Sequence, residues 1–335
     1  MNRLSIGLVG CGLFGESHLQ AFRMIPQARI EAVFDTVPER AERLAREFQI
    51  PKVCASLDEL CGLPEIQAVD VVTPEQLHRE PVLTALARGK HVFVEKPLAT
   101  DLDHCAQMIE AAAQADRYLM VGHVLRFETK YAMLREKVAS GALGEVVSVH
   151  GRRNRRQADL QRYCRAHLVL ETGIHDIDMM LWCVGKPVRR VRGYERQASQ
   201  AGCPDTFWGI LEFEGGAIGV VETIWMLPSE AGVVLDDAFQ VVGTTGVAQL
   251  QLMPSSLSFW RQSGFEVPDV SYDPRVMGGA RGALRDELAY FCDSVLNQRP
   301  LTVNTAPEAR RAVRVALALM ESAARQQDVE INDWA

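Results

Sequence analysis

Over its first 122 residues the chain alternates between short apolar runs and segments of helical periodicity, and this alternation restricts the fold more than any other feature. The runs LSIGLV, ARIEAVFD, AVDVVTP, HVFVEKP and YLMVGH are each too short for a helix and bounded by turn residues. Between them lie PERAERLAREF, with Ala41, Leu44, Ala45 and Phe48 on one helical face, then EQLHREPVLTALARG and DLDHCAQMIEAAAQADR. Strand and helix in turn require a parallel sheet covered on both faces. Ligands of such a sheet collect beyond the carboxyl ends of its strands.

What leaves the first strand end is specific. LSIGLV runs into Gly10-Cys11-Gly12-Leu13-Phe14-Gly15, followed by a helical segment from Glu16 to Met24. This is Gly-x-Gly-x-x-Gly with a strand before it and a helix after it, the context the dinucleotide fingerprint needs. Gly10 permits the tight turn, Gly12 lets the backbone approach a pyrophosphate, and Gly15 lets helix and strand pack closely. Leu13 and Phe14 complete the loop, and the helix N-terminus offers N–H groups to the phosphates. The second strand ends on Asp35, 35 − 15 = 20 residues beyond the last glycine, where an acidic residue takes ribose hydroxyls. Asp35 also suits a cap before Pro38. Its charge favours NAD over NADP, with Arg40 and Arg43 close by in sequence.

Three further strand ends carry polar residues: Thr73-Pro74, with His78 just beyond, Glu95-Lys96-Pro97, and Gly122-His123. Lys96, at the tip of an apolar strand in a dinucleotide fold, is placed where substrate meets nicotinamide. A cation there steadies the alkoxide that develops during hydride transfer.

Beyond residue 123 the pattern changes. EVVSVHGRR, PVRRVRGYER, WGILEFEGGAIGVVETIW with Gly215-Gly216 at its turn, and AFQVVGTTGVAQLQL with Gly246 read as paired strands of one broad sheet. The stretch GRRNRRQADLQRYCR holds Arg152, Arg153, Arg155, Arg156, Arg162 and Arg165. It reads either as an anion pocket for a sugar acid or phosphate, or as an exposed strand and subunit contact. Arg165 is the substrate candidate among them, with His167 behind it. ETGIHDIDMMLW then threads Glu171, His175, Asp176 and Asp178 through a helix whose Ile174, Ile177 and Leu181 face a core.

TPEQLHREPVLTALARGKHVFVEKPLAT, VGHVLRFETKYAMLREKVASGALGEVVSV, GIHDIDMMLW and the C-terminal DELAYFCDSVLNQRPLTVNTAPEARRAVRVALALMESA together resemble the Gfo/Idh/MocA family of glucose–fructose oxidoreductase and inositol dehydrogenase. The resemblance spans nearly the whole chain. It implies an α/β protein with an N-terminal Rossmann NAD-binding domain, residues 1–122, and a C-terminal domain, residues 123–335, with a large, mostly antiparallel open sheet for substrate binding and oligomerisation. It implies that Lys96 is catalytic and His175 the proton acceptor. Glu171 stands where the family has an aspartate, one methylene shorter.

With that frame, the cofactor-binding set is Gly10, Gly12, Leu13, Phe14, Gly15, Asp35, Thr73, Pro74, His78, Glu95 and Lys96. Lys96, His175 and Glu171 form the catalytic set, and Arg165, Asp178 and His123 bind or orient substrate. A carboxylate such as Asp178 beside His175 fixes the imidazole tautomer. Asp176 is expected to face solvent or a subunit neighbour.

Charge and cysteine usage exclude other classes. A net charge of −7 disfavours nucleic-acid binding. The eight cysteines form no Cys-x-x-Cys pair, so neither zinc nor a redox dithiol is indicated, and they read as free, buried small side chains. No apolar run reaches membrane-spanning length, and the N-terminus runs directly into a strand, which reads as cytoplasmic. The expected activity is hydride transfer between NAD and a secondary alcohol of a sugar, polyol or sugar acid, by a homodimer or homotetramer associating through the C-terminal sheet. The rivals are an NAD-dependent glycosidase and a non-catalytic NAD-sensing regulator.

Overall fold

The computed structural model describes residues 3–230, 232–262 and 264–334. Contacts group these into two units. The first comprises the chain through Phe127 together with Ser271–Arg310, and the second Glu128–Val270 with the residues after Arg310.

In the first unit the apolar runs become β1 (Leu4–Val9), β2 (Ala28–Phe34), β3 (Lys52–Val53), β4 (Ala68–Val71), β5 (His91–Glu95) and β6 (Leu119–Gly122). All pair in parallel, in the order β3-β2-β1-β4-β5-β6. The expected Rossmann sheet is therefore observed, with crossovers to both sides of β1. The intervening helices are α1 (Leu13–Phe22), α2 (Pro38–Phe48), α3 (Leu57–Gly62), α4 (Arg79–Ala87) and α5 (Leu102–Ala115). Their starts follow local chemistry. Pro38 sits in the first turn of α2, Ser56 caps α3 by accepting from the Glu59 N–H at 3.0 Å, and Asp101 caps α5 through the His104 N–H at 2.8 Å. Helix α1 begins at Leu13, three residues earlier than its sequence pattern indicates, because Gly12 itself is the N-cap.

Segment 271–310 was expected with the C-terminal half, but its helix Ala283–Leu296 buries Leu284, Leu288 and Phe291 with Leu4, Ile6, Phe93 and Met120 of the parallel sheet. Burying a side chain the size of Phe291 contributes about 2–3 kcal/mol, enough to fix where this helix docks.

The second unit contains α6 (Thr129–Ala139), β7 (Val146–Arg155), α7 (Gln157–Tyr163), α8 (Ile174–Val184), β8 (Val188–Arg196), β9 (Thr206–Phe213), β10 (Ile218–Ile224), β11 (Leu235–Gly243) and β12 (Val247–Met253). With a short strand at Val329–Glu330 its sheet is seven-stranded, and only the β7–β10 pair is parallel. This is the mostly antiparallel sheet that was expected. The β9–β10 hairpin turns at Gly215 and Gly216, both with positive φ, as a tight hairpin requires.

Two expectations fail in this unit. Asp176 is not at the surface. It is fully buried and forms a two-pronged pair with the equally buried Arg153 of β7, at 3.0 and 3.1 Å. Arg153 also donates to Asp237 at 2.8 Å and to the Tyr131 hydroxyl at 3.2 Å, while Arg155 holds the other oxygen of Asp237 at 2.5 Å. Gly151 is bare because a Cβ there would lie 2.6 Å from the Asp176 Cβ. Cys164 and Cys203 are joined by a disulfide across 39 residues, whereas Cys11, Cys54, Cys61, Cys105, Cys183 and Cys292 are free and buried as expected. No spacing motif marks that pair in the sequence. Among the described residues, no helix is long and apolar enough to cross a membrane.

Candidate active site

In the first unit, the candidate residues gather at the carboxyl edge of the parallel sheet. Val9, Val71 and Val94 are level across β1, β4 and β5, so the turns that follow start side by side. Gly10, at φ +101°, lies against the backbone of the next turn, where a Cβ would be 2.5 Å from the Val72 carbonyl oxygen. Gly15 packs its α-carbon onto the Gly10 carbonyl, closing helix on strand. Around Gly12 a Cβ would meet nothing within 4 Å, and no side chain caps the N-terminus of α1. Leu13 and Phe14 stand exposed in its first turn.

Asp35 fastens this loop. One carboxylate oxygen accepts the Cys11 N–H at 2.7 Å, and the other accepts the Val37 N–H at 2.8 Å. The structure thus gives Asp35 the ordering of the turn before α2, one of its two sequence readings. Burial, then the Asp35 charge, pushes the Cys11 thiol up to about 12, so it stays neutral. Arg43 is engaged elsewhere, with Glu16 at 2.9 Å and Glu47 at 3.2 Å.

His78, assigned to the cofactor from sequence, is a buried tie between loops. Its Nδ1 lies 2.9 Å from the Pro97 carbonyl and its Nε2 3.0 Å from the Thr73 carbonyl. Burial lowers its pKa, opposed by these two carbonyls. The neutral ring donates to one of them at a time. The turns after β4 and β5, with Pro74 and Lys96, are thereby held to each other. The Thr73 hydroxyl is buried with no hydrogen-bond partner among the described residues. An uncapped helix N-terminus over bare Gly12, an unsatisfied buried hydroxyl and an acidic residue just beyond β2 together fit a dinucleotide.

Lys96 follows the last residue of β5 and is half-buried. Glu95 is buried and turns its Oε2 back to the Lys96 N–H at 3.1 Å. His123, expected near substrate, is buried, and its carbonyl accepts from the Asn304 side chain at 3.1 Å. Two residues that sequence reasoning passed over join this edge. His18 of α1 is fully buried, with Nδ1 2.9 Å from Asp70 and Nε2 3.3 Å from Glu95. Burial opposes charge on this ring, but Asp70 and Glu95 outweigh it and raise its pKa to about 10. The signal was available: an aspartate inside the wholly apolar strand AVDV needs a buried partner.

In the second unit, Glu171 lies in a π-helical turn, Val169–Gly173, that runs straight into α8 with His175 and Asp178. Such turns insert a residue into a helix and re-aim the side chains around it. Thr172 fixes this one by donating to the Leu168 carbonyl at 3.0 Å and meeting the Thr223 hydroxyl of β10 at 2.6 Å. Arg165 lies 3.7 Å from the Glu171 carboxylate, so those two candidates are brought together. His175 is half-buried and Asp178 buried one turn beyond it. His167 uses Nδ1 to accept the Val169 N–H at 3.2 Å and Nε2 to reach Glu195 at 2.9 Å, so it anchors the helix start rather than a substrate. The arginine-rich stretch is largely consumed by ion pairs: Arg152 with Asp236, Arg153 and Arg155 with the buried aspartates, and Arg156 with Asp159. It is therefore not an open anion pocket.

Residues 4–123 match the model of the oxidoreductase family with an NAD-binding Rossmann fold, and residues 131–249 match the GFO/IDH/MocA C-terminal domain. An inositol 2-dehydrogenase of Saccharopolyspora erythraea is 30% identical over 84% of this chain and 83% of its own length. The 2,7-anhydro-N-acetylneuraminate hydratase of Escherichia coli is 30% identical over 65% of this chain and 61% of its own. Among solved structures, GenD2 from gentamicin A biosynthesis, in complex with NAD, superposes with a TM-score of 0.87 at 26% identity, covering 99% of this chain and 97% of that one.

Proposed function

The chain belongs to the Gfo/Idh/MocA oxidoreductase family, with an NAD-binding Rossmann fold, and from its site we propose a dehydrogenase acting on a secondary alcohol of a sugar, polyol or sugar acid. The observation that carries this reading is Lys96, at the same carboxyl edge of the parallel sheet as the glycine turn and tied to it through Thr73 and His78. NAD+ supplies the hydride acceptor. Gly10, Gly12 and Gly15 shape the turn, Leu13 and Phe14 flank the helix start, and Asp35 takes the ribose, with Thr73 and Pro74 lining the next turn. Lys96 donates to the substrate oxygen and stabilises the charge that grows on it as hydride leaves carbon. His175 accepts the hydroxyl proton, a task for a group whose ordinary pKa lies near neutrality. Glu171 and Asp178 orient it, Arg165 meets a polar or acidic substituent, and His123 lines the approach.

The same reading has a homodimer or homotetramer formed through the second sheet, whose outer face exposes Val147, Tyr194, Trp208, Ile210 and Ile218. It also has a cytoplasmic protein, in which the Cys164–Cys203 pair would be held as thiols by the reducing pool.

A redox-neutral variant draws support from the hydratase relative and from Glu171 in the place of aspartate. There NAD+ is regenerated in each cycle and the substrate undergoes elimination or hydration. One experiment separates the readings: NAD+ with a panel of polyols, aldoses, uronates and anhydro sugars, following nicotinamide absorbance and substrate consumption together. Absorbance growth abolished by Lys96→Met and His175→Ala establishes the dehydrogenase. Substrate loss with no net NADH establishes the redox-neutral reaction. NAD+ binding with neither sinks both and leaves the regulator.

A further inference from the structure

We propose that His18 is a positioning residue for Lys96: wedged between Asp70 and Glu95, its ring holds the Glu95 carboxylate against the Lys96 backbone N–H and so sets where the lysine leaves strand β5. The inference rests on the reading of Lys96 as the group that meets substrate.

The geometry is a relay of four groups on three elements. From α1, His18 Nδ1 reaches Asp70 Oδ2 of β4 at 2.9 Å, a short hydrogen bond. Its Nε2 approaches Glu95 Oε1 of β5 at 3.3 Å, an ion-pair contact more than an aligned hydrogen bond. The second oxygen of Glu95 accepts the Lys96 N–H at 3.1 Å. On the far side, β6 ends in Gly122, where a Cβ would lie 2.5 Å from Glu95 Oε1 and 2.9 Å from its carboxyl carbon. The carboxylate therefore occupies a slot that any other residue at position 122 would fill. Phe14 and Phe93 stand edge-on to the imidazole, with ring centres at 5.0 and 5.9 Å.

Two carboxylates face this ring from different strands, and only the imidazolium can donate to both. His78, which feels Glu95, is lowered by burial, and the Cys292 thiol beside Asp70 is pushed up by burial and remains neutral. Without a cation at position 18, Asp70 and Glu95 would be buried with like charge and Glu95 would have to protonate or swing out. Either change releases the Lys96 N–H. Because α1 also presents the glycine turn, the same ring couples the phosphate end of the site to the lysine.

The test is backbone hydrogen exchange of the NAD-loaded protein, resolved to single residues by fragmentation mass spectrometry, for wild type, His18→Gln and Glu95→Gln. Gln at position 18 keeps a donor but no charge, and Gln at 95 keeps volume while removing the carboxylate. A lost charge-assisted bond should speed exchange at Lys96 by about tenfold or more, while Val92–Val94 in β5 keep their protection. With any substrate that turns over, kcat should fall. Equal loosening across β1, β4 and β5, or an unchanged Lys96 amide in both variants, overturns the proposal. If His18→Gln fails to fold, Glu95→Gln alone decides it by the same amide. Selective release of Lys96 combined with full activity in Lys96→Met would leave the clamp standing and remove the lysine from the chemistry instead.

Discussion

Replacing Asp35 by serine should move the cofactor preference by a calculable amount. The carboxylate is half-exposed and accepts two backbone N–H groups, from Cys11 at 2.7 Å and Val37 at 2.8 Å. Hydrogen bonds to a charged acceptor contribute roughly 1.5–3 kcal/mol each, and partial exposure puts these at the lower end. If Asp35 takes the ribose diol as proposed, serine would remove about 1.5–3 kcal/mol from NAD+ binding, a loss of roughly ten- to a hundredfold. NADP+ responds differently. Its 2′-phosphate meets the Asp35 charge at a distance of several ångströms, and at the effective dielectric of a half-exposed site this repulsion is about 2 kcal/mol, roughly thirtyfold. Serine removes the repulsion, and the cost of the loosened Cys11 turn falls on both cofactors and cancels in their ratio. Arg40 is exposed on α2 and able to approach the phosphate, while Arg43 would first have to leave Glu16 and Glu47. The ratio of the two dissociation constants, from calorimetric titration of wild type and Asp35→Ser, should therefore shift by at least about tenfold toward NADP+. An unchanged ratio would show that Asp35 serves only the α2 turn.

Further tests follow from the buried charges and the cross-link. Asp176→Asn strips Arg153 of its two-pronged partner while Asp237 remains, which should cost about 3 kcal/mol and lower the melting temperature by roughly 6–12 °C in calorimetry; Asp176→Asn melting with wild type would mean that water reaches Arg153. The pKa of His18 is raised from 6.5 to about 10 on folding, so its contribution is fully present below pH 6.5 and is lost as pH rises through about 10. The melting temperature of the wild type should fall across that window, and a Tm-against-pH profile of His18→Gln should be flatter there. The Cys164–Cys203 bond closes a loop of 39 residues, which corresponds to about 4 kcal/mol of chain entropy. Dithiothreitol should lower the melting temperature of the oxidised protein and leave a Cys164→Ser variant unaffected.

The architecture could be read from the sequence because it rests on periodicity. Runs such as AVDVV and HVFVE lack the apolar–polar alternation of a half-exposed strand, as expected where both faces are covered, and the alternation with helices forces parallel pairing. The glycine turn was equally legible, since Gly10 and Gly15 are required by sterics that act within a few residues. Side chains whose partners lie far along the chain escaped. Asp176 sits next to His175 in the sequence and seemed bound for solvent, but its partner Arg153 is on β7, and pairwise burial of opposite charges leaves no periodic trace. The same holds for Cys164 and Cys203, and for His18 with Asp70 and Glu95. His167 and most of the arginine stretch were candidates by residue type alone; their ion pairs assign them to structure.

Glu171 owes its setting to a local distortion of the helix that carries it. Here the residue lies inside a π-helical turn, where the extra residue widens the backbone and rotates the side chain. Thr172, through the Leu168 carbonyl and the Thr223 hydroxyl, fixes that turn against β10, and Arg165 at 3.7 Å gives the carboxylate a cationic neighbour. Opposite charge at this distance, with Glu171 mostly shielded and Arg165 partly exposed, holds the acid in place without desolvating the guanidinium completely. Arg165, partly exposed, thus stands beside a carboxylate whose turn is fixed.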